Sequence, residues 1–233
     1  AEFAQLENEV FKNSYYKDPA SLGEGVNWQN IIFRQAPIQN HQLSINGGND
    51  KTQLAMSANY FNQDGIIINS NFKRYSYRLN LDHKISNRVK VGTSILGSYS
   101  VNSGVQTGST SQGDADVVTG SILGAAIGAP PNLQPYRADG SVFPFGEQED
   151  GRYREVTNPL GIASVLNQTA LKRTLVNLYG EATILKGLTY RASFNADLQN
   201  NIADRDSRRS IFSVRELDVN SGSGSTSNSN YVG

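Results

Sequence analysis

The segment KRYSYRLNLD, residues 73–82, alternates without a break. Tyr75, Tyr77, Leu79 and Leu81 are separated by Arg74, Ser76, Arg78, Asn80 and Asp82. A β-strand sends successive side chains to opposite faces, so this stretch is predicted to have one oily face and one wet face. The same period of two runs through Leu43 and Ile45, through Leu54, Met56, Ala58 and Tyr60, and through Val89, Val91, Ile95, Tyr99 and Val101. It returns at Val176, Leu178, Ala182 and Ile184, and is cleanest at Leu188, Tyr190, Ala192, Phe194, Ala196 and Leu198. Leu96 interrupts the polar register, and Gly92 and Gly97 loosen their strand. Arg74, Arg78, Asp82, Arg88, Lys90, Arg173, Glu181, Arg191 and Asp197 sit on the polar face, and over 54–60, 75–81, 89–101, 173–184 and 188–198 the apolar register carries no charge.

The connections alternate in length. Residues 47–50 (GGND), Ser86-Asn87 and Lys186-Gly187 are tight turns, whereas the segments 1–38, 62–72, 102–168 and the region after 200 are long. In an up-and-down meander all short turns then lie at one end and all long loops at the other, as in outer-membrane barrels. The strands run to about ten residues, near the 9–11 that cross a bilayer at a tilt and longer than the usual sandwich strand. Tyr60, Tyr75, Tyr77 and Tyr99 fall on the apolar face beside the long loops, and Tyr190 beside a short turn. That is where interfacial tyrosines sit. The expected fold is therefore all-β, an antiparallel up-and-down transmembrane β-barrel segment with long extracellular loops. The alternative is a secreted β-sandwich that binds glycans through loop aromatics. About six strands are readable, fewer than the eight of the smallest barrels, and an open edge cannot face lipid, so a larger barrel is implied. The organisation expected is a loop region with a short helix at 1–38, barrel strands at 39–101, a long extracellular loop at 102–168, strands at 169–205 and a further loop at 206–233. The last assignment rests on the low-complexity tract SGSGSTSNSN.

Composition excludes more than it proposes. The 21 basic residues equal the 21 acidic ones, so net charge suggests no nucleic-acid partner. There is no cysteine, and hence no disulfide framework or thiolate chemistry. No apolar run reaches the roughly 18–20 residues of a membrane helix, which leaves alternating strands unaddressed. The opening AEFAQLENEV has helical spacing rather than a signal-peptide pattern, and with the strand count it suggests a piece of a longer chain. His41 and His83 are the sole histidines. Neither belongs to a nucleophile motif, and no phosphate-binding loop is present, so no enzymatic activity is expected. His41, between Asn40 and Gln42, is expected to be a lumen or rim side chain. Asp114 and Asp116, and Glu147, Glu149 and Asp150, offer oxygen ligands for Ca²⁺ but lack the Asp/Asn/Gly spacing of a calcium loop. No cofactor or metal site is therefore assigned.

Several runs resemble a known family. Asn27-Trp28-Gln29, the run FRQAPIQNH at 33–41, residues 44–48, YFNQDG at 60–65 and Phe72-Lys73-Arg74-Tyr75 are similar to the first barrel portion of SusC-like TonB-dependent transporters of Bacteroidetes. Ala129-Pro130-Pro131, Asn158-Pro159-Leu160 and residues 184–188 continue the resemblance. It implies a plugged outer-membrane barrel of about 22 strands. It also implies nutrient import (glycans, oligopeptides or similar) driven by the TonB complex through parts of the protein outside this sequence, and a SusD-like surface lipoprotein as a lid. On that frame Arg74, Arg78, Arg191 and Asp197 face the lumen and are candidates for ligand or plug contact, or for structural charge ladders. Trp28, Tyr15, Tyr16, Tyr136 and Tyr153 fall in extracellular segments. They either anchor a ligand or partner, or pack the loops on themselves.

Overall fold

The computed structural model describes residues 1–12, 15–107, 121–148, 153, 156–207 and 223–233. Among these residues lies one seven-stranded antiparallel sheet whose spatial order equals the chain order. Its strands are β1 (Ile38–Gly48), β2 (Thr52–Asp64), β3 (Asn71–Lys84), β4 (Val89–Ser103), β5 (Leu166–Leu185), β6 (Leu188–Ser207) and β7 (Ser223–Val232). β4 has 15 residues and β5 and β6 have 20 each. All three exceed the 9–11 that a tilted crossing needs.

The tight turns gather at one end for local reasons. Asn49 Oδ1 accepts from the Lys51 and Thr52 amides at 2.9 and 2.8 Å, an Asx turn between β1 and β2. Ser86 Oγ accepts from the Arg88 and Val89 amides at 3.2 and 3.1 Å between β3 and β4. Gly187, at φ 90°, closes the β5–β6 hairpin. The longer connections, 65–70 and the described residues between 104 and 165, lie at the opposite end.

The tail corrects the expectation of a loop over 206–233. Its last part is β7, paired with β6 from Leu198↔Val232 to Ser207↔Ser223. Serines take one of its faces and Gly224, Thr226, Asn228 and Asn230 the other, so polar residues stand on both and no apolar alternation is visible. Main-chain ladder bonds hold a strand whatever its side chains. Side chains add to them: Asn200 Nδ2 donates to Asn228 and Asn230 at 2.8 and 2.6 Å, and Thr226 Oγ1 to Asp204 at 2.8 Å. The readable strand count thus rises from six to seven. β5 also begins at Leu166 and β6 continues to Ser207, beyond the point where apolar alternation fades.

Register confirms the two faces. Met56, Leu79, Ile95, Val176 and Ala196 form one cross-strand row, and Leu54, Leu81, Thr93, Leu178 and Phe194 the next. No second layer covers this face among the described residues, unlike the two packed sheets of a sandwich. Leu43 is 67% exposed and Phe194 61%, and Gly97 is the sole buried residue among the described strand positions.

The buried core lies elsewhere, at the long-loop end. It is built by α2 (Trp28–Ile32), α3 (Ile122–Gly128), α4 (Pro159–Ala163) and the chain around Leu133 and Phe145, with α1 (Glu2–Val10) alongside. These helices are short and capped: Asn27, Ser121 and Asn158 each accept an amide hydrogen bond at the N-terminus. Trp28, Ile32, Ile122, Leu133 and Phe145 are nearly inaccessible. Gly25, at φ 79°, lets the main chain pass so close to Pro131 that any Cβ would stand 2.6 Å from its carbonyl oxygen. The Val26 amide uses that approach, donating to the same oxygen at 2.6 Å.

Candidate functional site

The polar face of the sheet carries two kinds of side-chain contact. Amide and hydroxyl rungs run across its middle: Asn59 Nδ2 donates to Asn40 at 2.7 Å, Ser94 Oγ to Asn80 at 2.7 Å, and Asn177 Nδ2 to Asn195. Charged groups form pairs. Arg173 meets Asp197 in a two-pronged contact, Nε to Oδ1 at 3.0 Å and Nη2 to Oδ2 at 2.7 Å. Nearer the tight turns, Tyr179 donates its hydroxyl to Asp82. Lys90 Nζ lies 3.7 Å from that carboxylate and 5.5 Å from the Tyr179 ring. Arg191 stacks on the same ring at 4.3 Å and lies 3.9 Å from Glu181. Gly92 makes this possible, because a Cβ there would fall 2.4 Å from the Tyr179 ring and 2.5 Å from Asp82. The tyrosine lies flat across the glycine.

The four lumen candidates are therefore not one cluster. Arg78 and Asp197 line a common depression of about 410 Å³ with Leu96, Leu175, Asn177 and Asn195. Arg74 lies 5.7 Å from the Phe61 ring, near the long loops. Arg191 belongs to the Tyr179 group at the other end. Sequence reading did not single out Asp82, Lys90, Tyr179 and Glu181 as a group. Their shared register was visible, but their convergence depends on cross-strand pairing: Asp82↔Gly92, Gly92↔Tyr179, Lys90↔Glu181 and Glu181↔Arg191. Of the lumen and rim positions expected for His41, the lumen one does not hold. His41 shares the apolar face with Tyr60, against which it stacks at 6.2 Å. His83 Nδ1 is 2.8 Å from Thr52 Oγ1.

The loop aromatics divide. Trp28 is interior, its indole N–H donating to the Pro130 carbonyl at 2.9 Å and its ring edge-on to Phe145 at 5.1 Å. Tyr16 is buried too. Its hydroxyl accepts from Asn132 at 2.8 Å and lies 3.1 Å from the Tyr153 hydroxyl. Tyr153 in turn donates to the Glu7 carboxylate at 3.0 Å. Burial, and then the hydrogen bonds to Tyr16 and Glu7, push the Tyr153 phenol well above its ordinary range. Tyr15 packs edge-on to Tyr16 at 5.0 Å and stays partly exposed, as does Tyr136. Asn132 Oδ1 is buried without a hydrogen-bond partner among the described residues, whereas the buried amides of Asn158 and Gln148 are satisfied. Asn158 Nδ2 donates to the Pro135 and Phe143 carbonyls at 3.1 and 2.9 Å, and Gln148 bridges to Gln134 through both ends of its amide.

Arg34 ties this module to the sheet. Its side chain donates to the Gly65 and Ser70 carbonyls at 3.1 and 2.8 Å, and Asn69 Nδ2 reaches Ala163 at 2.8 Å. Among the oxygen ligands considered for Ca²⁺, Glu147 pairs with Arg137, while Asp114, Asp116, Glu149 and Asp150 lie outside the described residues. No group of three metal-ligating side chains occurs among the described residues. Asp139 is held below the usual carboxylate range, chiefly by the Ser141 hydroxyl and amide.

No family model matches the chain. It is 30% identical over 204 residues to TonB-dependent receptor P3 of Formosa agariphila, an alignment covering 85% of this chain and 19% of that receptor. It is 29% identical over 147 residues to TonB-dependent receptor SusC of Bacteroides thetaiotaomicron, covering 59% of this chain and 14% of SusC. Among solved structures, the RagAB peptide importer in its open-open state superposes with a TM-score of 0.59 at 24% identity. That match covers 79% of this chain and 20% of the importer chain, and it carries the fold. The chain thus spans a fifth or less of the proteins it matches.

Proposed function

We propose that this chain, a homologue of SusC-type TonB-dependent receptors, is a wall segment of an outer-membrane nutrient importer. The observation that carries the reading is the uncovered apolar face of a seven-stranded meander whose opposite face holds the paired charges. Water disfavours such a surface, and lipid accepts it. The main-chain groups along the outer edges of β1 and β7 need further strands in a bilayer, which fits a segment of a larger closed barrel.

In this arrangement the long-loop module faces the cell exterior and the tight turns face the periplasm. The polar rows line the lumen, where Arg78, Asp197 and the amide rungs offer hydrogen bonds to a passing ligand. The ligand class is a glycan, an oligopeptide or a similar nutrient. The RagAB neighbours are peptide importers by name, which favours the peptide reading by analogy alone. The module, with Tyr15 and Tyr136 partly exposed, is the surface offered to a SusD-like lipoprotein. Energy coupling to the TonB complex belongs to parts of the protein outside this sequence.

The adjacent positions Ser94 and Ile95 of β4 test the wall directly. In the full-length protein in outer membranes, Ser94→Cys should react with a small charged thiol reagent, and Ile95→Cys only with a lipid-soluble one. Equal reaction of both with the charged reagent, or recovery of the protein in the soluble fraction, overturns the proposal.

A further inference from the structure

The apolar face is not uniform. At its long-loop end one cross-strand row runs His41, Tyr60, Tyr75, Tyr99 and Lys172, and the next row outward runs Asn62, Lys73, Val101 and Ala170. Lys73 and Lys172 are thus two cations on the face that otherwise meets hydrocarbon. Both are exposed, and neither forms a salt bridge among the described residues. Lys172 Nζ sits 5.8 Å from the Tyr99 ring, a contact that leaves its N–H donors available. No lysine or arginine occupies the corresponding rows at the tight-turn end, which pass through His83, Val91, Gly180 and Ala192 and through Val89, Ala182 and Tyr190.

Beside Lys172, and one row inward of Lys73, the surface is hollow. A groove of about 650 Å³ is lined by Leu43, Ala58, Tyr75, Tyr77, Gly97 and Tyr99 and reaches Lys172. Gly97 creates its floor, since a Cβ there would stand 2.2 Å from the Tyr77 ring. The ring covers the glycine, and Tyr75 and Tyr99 line the groove with it. A uniform row of branched side chains would have filled this space. The volume is in the range of small-ligand pockets, about 300–1,000 Å³.

An apolar trough with one cation in its lining and a second one row outward, neither in a salt bridge among the described residues, matches one kind of occupant: a lipid with acyl chains and an anionic headgroup. Lysines that snorkel to an interface put their charge at headgroup depth while their stems cover apolar surface. Their restriction to the long-loop end selects a leaflet, the outer one if that end faces the exterior. We infer that this groove with Lys73 and Lys172 is a binding site for a phosphorylated outer-leaflet glycolipid of the lipid A type, its chains against Tyr75, Tyr77 and Gly97 and its phosphate at the lysines. This inference rests on the membrane orientation proposed above.

The test uses the full-length protein extracted from outer membranes in mild detergent, titrated separately with monophosphoryl lipid A, phosphatidylglycerol and phosphatidylcholine. Native mass spectrometry reads the bound fraction. Wild type should retain lipid A over both phospholipids. The double variant Lys73→Gln/Lys172→Gln should lose roughly thirtyfold in lipid A affinity, from about a fivefold loss per interfacial cation. Lys73→Arg/Lys172→Arg should restore it. Gly97→Val, which lifts Tyr77, should weaken retention with both lysines present. Equal retention of phosphatidylcholine marks the groove as ordinary annular surface, and equal retention of phosphatidylglycerol removes the glycolipid assignment; either overturns the inference. Indifference of lipid A binding to the lysines overturns it while leaving the wall proposal standing. A soluble full-length protein overturns both.

Discussion

The sheet and the loop module treat their hydrophobic residues in opposite ways. In the module, Trp28, Ile32 and Ile122, on helices of only five and seven residues, are sealed from solvent together with Leu133 and Phe145 from the connecting chain. In the sheet, Leu43, Met56, Tyr77 and Phe194 stay open along strands two to four times as long. The polar groups are handled differently as well. Asn158 and Gln148 are buried and bonded to main-chain carbonyls inside the module. Arg173, Asp197, Lys90 and Glu181 pair with side chains on an accessible face. One half follows the rule for protein in water, and the other follows it with the solvent exchanged on one side. The lesson is that the two halves answer to different environments, and perturbations should separate them.

The largest separation is expected from Phe145→Ala. Emptying that site should cost the module about 3–5 kcal/mol, the usual range for a buried aromatic. Hydrogen exchange should rise across 122–148 in the full-length protein while the β-ladder amides stay protected. If strand protection collapses with it, the two regions are one cooperative unit and the contrast fails.

Leu79→Arg probes the other half. Leu79 lies in the middle row of the apolar face, where an arginine at bilayer mid-depth costs about 2–4 kcal/mol. The unfolding midpoint in denaturant should fall for the membrane-inserted protein and the module should keep its exchange protection. A neutral effect in lipid would mean that this face meets something polar.

The smallest effect is expected at the Arg173–Asp197 pair. It is geometrically good but accessible, with side-chain exposures of 46% and 24%. A double-mutant cycle with Arg173→Gln and Asp197→Asn should give a coupling of about 0.2–1 kcal/mol that shrinks with salt. A much larger, salt-insensitive coupling would place the pair in a dry environment and erase the distinction between lumen and lipid face.

Much of this contrast was legible in the chain itself. The alternation from Tyr75 to Leu81 and from Leu188 to Leu198 assigned faces as well as strands, because a period of two has one geometric meaning. The tight turns were legible through Asn49, Ser86 and Gly187, whose chemistry is local. β7 was not. Its residues Ser223–Val232 carry no apolar period, and only the ladder against β6 makes them a strand. The role of Trp28 was also undetermined, since an aromatic in a loop segment packs inward or outward according to partners such as Pro130 and Phe145, which lie over 100 positions away.

The same division holds for the sites. The sequence by itself determined that Arg78, Lys90, Arg173, Glu181, Arg191 and Asp197 share a register, and that Lys172 stands one step out of it. Tertiary structure alone decided which of them meet. Cross-strand pairing joined Arg173 to Asp197, laid Tyr179 over Gly92 onto Asp82, and laid Tyr77 over Gly97 on the opposite face. Period is a property of neighbours along the chain, so it can be read there. Partnership is a property of register between strands, and a shift of one residue would have dealt every one of these side chains to the other face.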